Sequence, residues 1–166
     1  MEAIQTHYGK YYFRSRLEAR WAYFFDICKI TYYYESEGFK DDGNMYLPDF
    51  HLPDTYFMGR YGLFAEIKNP NYVVGKEYLW FTQPLVVFTG LPQRNIYRNV
   101  DRGSYNGGFE LYPEIDDHQV IWLCGKCGKS MITYESLSLN KCVGCDGVCD
   151  INLLQFAAQM ATEVRF

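Results

Sequence analysis

Leu17, Trp21, Phe24, Phe25 and Cys28 recur at the three- and four-residue steps of one helical face, which predicts an amphipathic helix over residues 15–28. Cys28 falls on the apolar side, where a thiol is expected to be buried and inert. After this helix the period shortens. Residues 30–35, dense in Tyr and Ile, predict a strand, and 38–43 a polar turn. Residues 45–52 predict a second strand, interrupted by Pro48, and 63–68 a third. A helix followed by a meander of strands points to an α/β or α+β sheet.

Residues 75–83 predict one short helix before Pro84, and the apolar run Leu85-Val86-Val87-Phe88, flanked by Pro and Gly, predicts a buried strand. Residues 90–119 read as loop with at most one hairpin, ending in the acidic turn 113–117. A closing helix is predicted over 151–164, and its apolar Leu153, Leu154, Phe156, Ala157 and Met160 require a cover. Three segments follow from this pattern: a core over 1–119, a cysteine-bearing module over 120–149, and a helix over 150–166 that packs on the core.

Composition narrows the class. With 166 residues, 48% hydrophobic and 22% charged, the chain is one ordinary globular domain with at most a small appendage. No run reaches the roughly 18 apolar residues of a membrane span, and the first residues lack a signal peptide's basic end and apolar core, so the expected location is the cytoplasm. The 16 Tyr and 12 Phe predict a core of large rings with several hydroxyls in need of partners. Sixteen basic against 20 acidic residues argue against a nonspecific nucleic-acid coat, though not against a local basic patch.

Six cysteines in such a chain are better read as metal ligands than as disulfides, because five of them lie between Cys124 and Cys149. Cys124-Gly-Lys-Cys127 and Cys142-Val-Gly-Cys145 are two C-x2-C pairs separated by fourteen residues, a span close to that of zinc ribbons. Four thiolates would close a tetrahedron around a structural Zn²⁺ and order a segment too small to bury a core of its own. Cys149 could replace Cys145 as the fourth ligand, but the repeated spacing favours Cys145. Lys126, Lys129 and Lys141 are the basic residues this module offers, and it suits protein docking as well as nucleic-acid contact.

A second constellation is acidic. On an extended strand Glu66 and Lys68 share one face while Ile67 points to the other, and Asp49 on a neighbouring strand would join them. Two carboxylates suit a hard cation such as Mg²⁺ or Mn²⁺, with an ammonium beside them to steady a water or a developing anion. That is the chemistry of phosphodiester hydrolysis. The plain alternative is a Pro-Asp turn and a solvated strand pair. Serine or cysteine nucleophile arrangements, phosphate-cradling glycine loops and HExxH helices are absent from the sequence.

Glu18, Pro48-Asp49 and Glu66-Ile67-Lys68 occur in the order seen in the PD-(D/E)xK nuclease superfamily, which the chain resembles. Phe13-Arg-Ser-Arg-Leu-Glu-Ala-Arg-Trp-Ala22, Tyr34-Glu-Ser-Glu-Gly-Phe39 and Tyr46-Leu-Pro-Asp-Phe50 look like a small stand-alone branch found in bacteriophages and mobile elements, often with a cysteine module behind the core. The resemblance implies a restriction-endonuclease-like mixed sheet flanked by helices. It also implies Asp49, Glu66 and the main-chain carbonyl of Ile67 as Mg²⁺ ligands, Lys68 aiding the water, and Glu18 as a further ligand or outer acid. Glu18 has a rival role, because Ser15 and Glu18 form S-x-x-E ahead of an apolar helix, a capping box in which Glu18 would bond back to the Ser15 backbone. Glu35 and Glu37 read as surface acids.

The expected reaction is metal-dependent cleavage of nucleic acid, DNA before RNA, in an infected or element-bearing bacterial cell. Arg14 and Arg16, with Lys10 and Arg20, form one basic patch, and Arg94, Arg98 and Arg102 with Tyr97 a second. His51, two positions after Asp49, would face the same way and reach substrate. A homodimer would cut two strands. The rival class is a nuclease-fold binding protein, an inhibitor or assembly factor with a host protein as partner, which the net negative charge would suit.

Overall fold

The computed structural model describes residues 4–57, 59–72, 78, 80–92, 119–134 and 141–166. Ser15 starts the first helix, α1 (Arg16–Ile27): its backbone is extended and its hydroxyl accepts from the Glu18 N–H at 3.2 Å, a cap worth ~1 kcal/mol. Ahead of it, β1 (Thr6–Tyr8) and β2 (Tyr11–Phe13) make an antiparallel hairpin that the hydrophobic pattern did not announce. Behind it, the strand expected over 30–35 contracts to β3 (Tyr33–Tyr34).

The polar segment 38–43 is more than a turn. Asp42 and Gly43, both with positive φ (41° and 85°), form a two-residue loop joining β4 (Phe39–Asp41) to β5 (Asn44–Tyr46). The strand expected over 45–52 is therefore split, and its second half runs on as β6 (Phe50–Phe57). Pro53 lies inside β6 because the pairing register shifts between Leu52 and Tyr56, where a ladder hydrogen bond is dispensable. Then follow β7 (Arg60–Lys68), β8 (Leu85–Thr89), β9 (Gln119–Leu123), β10 (Ser130–Tyr134) and α2 (Ile151–Glu163). Of the helix expected over 75–83, Tyr78 and residues 80–83 are described; the Phe81 N–H donates to the Tyr78 carbonyl in a turn.

The central sheet is mixed, in the order β8-β7-β6-β10-β9, with β3 pairing to the start of β6. β6–β7 and β9–β10 are antiparallel; β7–β8 and β6–β10 are parallel. The hairpin that leads into the cysteines is thus continuous with the sheet. Alternation sorts the side chains: Leu63, Ala65 and Ile67 of β7 and Val86 and Phe88 of β8 join the core under the helices, whereas Phe64, Leu85 and Val87 pack on the opposite face with Phe39, Tyr46 and Phe81. Glu66 and Lys68 share the parity of Phe64.

Trp21 fixes α1 on the sheet by stacking on Phe88 (centroids 4.4 Å, 12° between planes) while its indole N–H donates to the Gly90 carbonyl at 2.9 Å. α2 starts at Asp150, whose carboxylate accepts from the Leu153 N–H, and it packs on α1. Its buried stripe is Leu154, Ala157, Ala158 and Ala161; Phe156, expected to be covered, is 54% exposed. Arg20 donates to the Ala161 carbonyl at 2.7 Å and to that of Thr162, serving carbonyls at the end of α2 that have no helical partner. No helix among the described residues is long and apolar enough to cross a membrane.

Candidate functional site

Two chain segments meet where β6 begins and β7 ends. Phe50 pairs with Ala65, so continuing that antiparallel register sets Asp49 beside Glu66. Both carboxyls are buried, Asp49 at 2% and Glu66 at 4% exposure. Asp49 Oδ2 accepts from the Ile67 N–H at 2.7 Å, which ties it to the strand that bears Glu66 and Lys68. Glu66 Oε2 accepts from the Tyr46 hydroxyl at 2.7 Å, and its Oε1 lies 2.5 Å from Lys68 Nζ. The Lys68 ammonium also sits over the Tyr72 ring at 5.6 Å.

Burial, then the charges of Glu66 and Glu18, push the Asp49 carboxyl up to about 7 against the opposing pull of the Ile67 N–H and Arg14. Burial tends to lower Lys68, but its hydrogen bond and charge contact with Glu66 and the charge of Asp49 raise it overall, so the amine is held as an ammonium. Burial and the neighbouring Glu66 also raise Tyr46, leaving its hydroxyl a committed donor. The result is a pair of adjoining buried carboxylates with oxygen donors of the kind a hard divalent cation takes.

Arg14 does not simply offer itself to a polyanion. Its Nη2 lies 2.5 Å from Asp49 Oδ1 and its Nε 2.6 Å from Glu35 Oε1. Glu35, expected at the surface, is half-buried with φ of 44° and its N–H bonded to the Asp49 carbonyl; its Oε1 contacts Arg14 as an ion pair without accepting a hydrogen bond. Glu18 is a capping and bracing residue. Its Oε1 accepts the Ser15 hydroxyl at 2.6 Å, and its Oε2 accepts the Tyr34 hydroxyl at 2.6 Å and the Arg14 N–H at 3.0 Å, one residue earlier than a capping box places the backbone donor.

His51 shares the face of Glu66 and stacks on Phe64 (4.7 Å, 19°). Arg16 is exposed at the start of α1. Arg94, Tyr97, Arg98, Arg102 and His118 lie outside the described residues. Tyr34 and Tyr46 open the motifs that carry Glu35 and Asp49, but the sequence assigns neither hydroxyl a role and places Glu35 only at the surface.

The second centre is built from knuckles. The Gly128 N–H donates to the Cys124 carbonyl and the Cys124 N–H to the Lys129 carbonyl, while the Cys127 N–H points at Cys124 Sγ and the Gly144 N–H at Cys142 Sγ, each at 3.4 Å. The sulfurs of Cys124, Cys127, Cys142 and Cys145 all lie within 4.8 Å of one another. Cys124–Cys145 and Cys127–Cys142 are 3.5 and 3.7 Å apart, near the edge of about 3.8 Å that a Zn–S length of about 2.3 Å gives a tetrahedron. These four cysteines could bind a structural metal such as zinc. Desolvation raises the Cys124 thiol, but donated N–H groups of Cys127 and Lys126 outweigh it and hold it down to about 6.

Cys149 bridges to Cys124 through the backbone and stands outside the foursome. Gly147 makes room for the cluster: a Cβ there would come within 2.4 Å of Cys124 Sγ and 2.7 Å of Lys126 Cβ. Cys28, by contrast, is buried under α1 and raised to about 12 by that burial. No family model, curated protein or solved structure matches the chain.

Proposed function

We propose that this chain is a divalent-metal-dependent nuclease of the PD-(D/E)xK type, on a restriction-endonuclease-like sheet, that hydrolyses phosphodiester bonds in DNA. The observation that carries the reading is the junction of Asp49 with Glu66 and Lys68, from two strands, at one end of the β6–β7 ladder, with both acids buried and Asp49 tied to the Ile67 N–H. Lys68 and Arg14 offset part of the cost of burying these two adjacent carboxylates, and Asp49 and Glu66 are the residues that would hold Mg²⁺ or Mn²⁺. A cation there would supply Lewis-acid activation of water and neutralise charge at the phosphate.

The chain's own groups do the rest. Tyr46 orients Glu66 through Oε2 and leaves its Oε1 to Lys68. Lys68, kept charged, stands beside the acids to stabilise the anion that grows on the phosphate. Arg14, whose side chain is 56% exposed, is placed to receive a phosphate oxygen when it leaves Asp49. The cysteine cluster braces the hairpin that extends the sheet.

Incubation of the zinc-loaded protein with plasmid, single-stranded DNA and RNA, in Mg²⁺, Mn²⁺ or neither, tests this. Cleavage of DNA that requires the added cation is expected, and Asp49→Ala and Lys68→Ala should each abolish it without changing zinc content. Intact substrates throughout, or undiminished cutting by both variants, would overturn the reading.

A further inference from the structure

Beside the carboxylates, on the same face of the sheet, a cleft of about 320 Å³ opens between the β4 hairpin and the β6–β7 ladder. Its size falls at the small end of ligand pockets, of about 300–1,000 Å³, large enough for one nucleoside. His51, Phe39 and Phe64 supply its rings, and Glu37, Arg60 and Gln83 its polar rim.

We propose that this cleft is a nucleobase pocket, which receives a base adjoining the phosphodiester cleaved at Asp49, Glu66 and Lys68; it rests on the nuclease reading above. Position is the first argument. Phe64 and Glu66 are successive same-face residues of β7, about 7 Å apart, comparable to the span from a nucleotide's phosphate to its base. A strand whose phosphate meets the acids therefore has a base within reach of the cleft.

Preorganisation is the second. Phe64 is locked edge-on by Phe39 (5.0 Å, 82°) and Phe81 (5.8 Å, 79°), and His51 lies nearly parallel on it. Gly62, with φ of 88°, lines the cleft with no side chain; a Cβ there would stand 4.0 Å from His51 Nε2, so the ring edge stays uncovered. A base that meets the uncovered edge of His51 finds rings already held in place.

The rim supplies the third. Arg60 donates, Glu37 accepts and the Gln83 amide does both, which matches the mixed donor and acceptor edge of a base better than it matches a phosphate or a uniformly charged ligand. The cationic and anionic members balance, so the pocket does not compete with the acids for the backbone.

Photo-crosslinking tests this directly. The cleavage-deficient Lys68→Ala protein, zinc-loaded and in Mg²⁺, is irradiated with a single-stranded DNA oligonucleotide carrying 5-iodouracil, and the linked peptides are mapped. Crosslinks on His51, Phe64 or Tyr61, which also lines the cleft, are expected. Crosslinks only elsewhere, or none, would overturn the pocket. In the wild-type background, His51→Ala and Arg60→Ala should raise KM for DNA roughly tenfold with kcat little changed and should redistribute the cut sites, while His51→Phe restores most of the loss. Metal-dependent cleavage with unchanged KM and cut sites would remove the pocket and leave the nuclease reading standing. Pocket crosslinks without any cleavage would remove the nuclease reading and leave a base-binding cleft.

Discussion

The Arg14 guanidinium contacts Asp49 Oδ1 at 2.5 Å, and so occupies an oxygen that a divalent cation at this site would need. The contact is held from behind by Glu35, whose left-handed backbone sets its carboxylate 2.6 Å from Arg14 Nε. Arg14 thus acts as a tethered internal counter-ion for a buried acid.

A cation that binds Asp49 must displace this guanidinium or share the oxygen with it. Arg14→Ala should therefore tighten Mn²⁺ binding about fivefold, the order of 1 kcal/mol that a unit charge a few ångströms away contributes in a hydrated setting. Calorimetric titration of the zinc-loaded protein at pH 8 measures it, with Arg16→Ala, the same charge change at an exposed position two residues on, at the start of α1, as the control. Equal effects from the two variants would reduce Arg14 to bulk electrostatics.

Asp49 also sets a pH dependence. Its folded-state pKa of about 7 lies above the ordinary carboxyl value, so between about pH 4 and 7 the folded protein keeps a proton that the unfolded chain has already lost. Without divalent cation, this residue's contribution to stability is full below pH 4 and declines as pH rises through 7. A divalent cation bound at Asp49 would work in the opposite sense, because its binding would expel that proton, and apparent affinity should fall about tenfold per unit below pH 7. Urea unfolding across this range in Mg²⁺-free buffer should show the decline for the wild type and a flatter profile for Asp49→Asn.

Much of this arrangement was legible in the sequence. The Leu17-Trp21-Phe24-Phe25 stripe fixed α1, the alternation around Glu66-Ile67-Lys68 fixed the faces of β7, and the two C-x2-C pairs brought their four sulfurs together. Local turn chemistry was present but underused: Asp42-Gly43 is a hairpin signal that a polar-turn reading passed over. Other features depended on distant partners. Pro53 ends a strand by propensity, yet β6 absorbs it through a register shift against β7. The parallel pairing of β10 with β6 and the Arg14–Asp49 contact join segments that no short window compares.

Glu18 braces the approach to the acids through both of its oxygens. Both its oxygens are engaged by the Ser15 hydroxyl, the Arg14 N–H and the Tyr34 hydroxyl, so its removal strands buried donors. Glu18→Ala should cost about 2–4 kcal/mol of stability, from two or more unsatisfied groups at about 1–3 kcal/mol each. Glu18→Gln should keep Mn²⁺ affinity within about threefold at pH 8, allowing for loss of one remote charge. A collapse of metal binding in the folded Gln variant would instead make Glu18 a ligand.

The cysteine cluster separates two kinds of residue by their response to one substitution each. Cys149 is near the four sulfurs but outside their tetrahedron, so Cys149→Ser should retain one equivalent of Zn²⁺ and an all-thiolate Co²⁺ spectrum, whereas Cys145→Ser should lose that spectrum. Gly147 bears no ligand atom, yet a methyl group there would fall 2.4 Å from Cys124 Sγ, against a backbone whose carbonyl accepts from the Cys142 N–H. Neither side can yield without moving a ligand. Gly147→Ala should consequently weaken Zn²⁺ binding at least tenfold in competition with a chromophoric chelator, comparable to losing support around a ligand. It should also lower the thermal midpoint, because a metal bound only by the folded state stabilises that state in proportion to its affinity. An alanine variant with wild-type zinc affinity would mean that the four sulfurs close around the metal by a path that leaves Gly147 clear of Cys124.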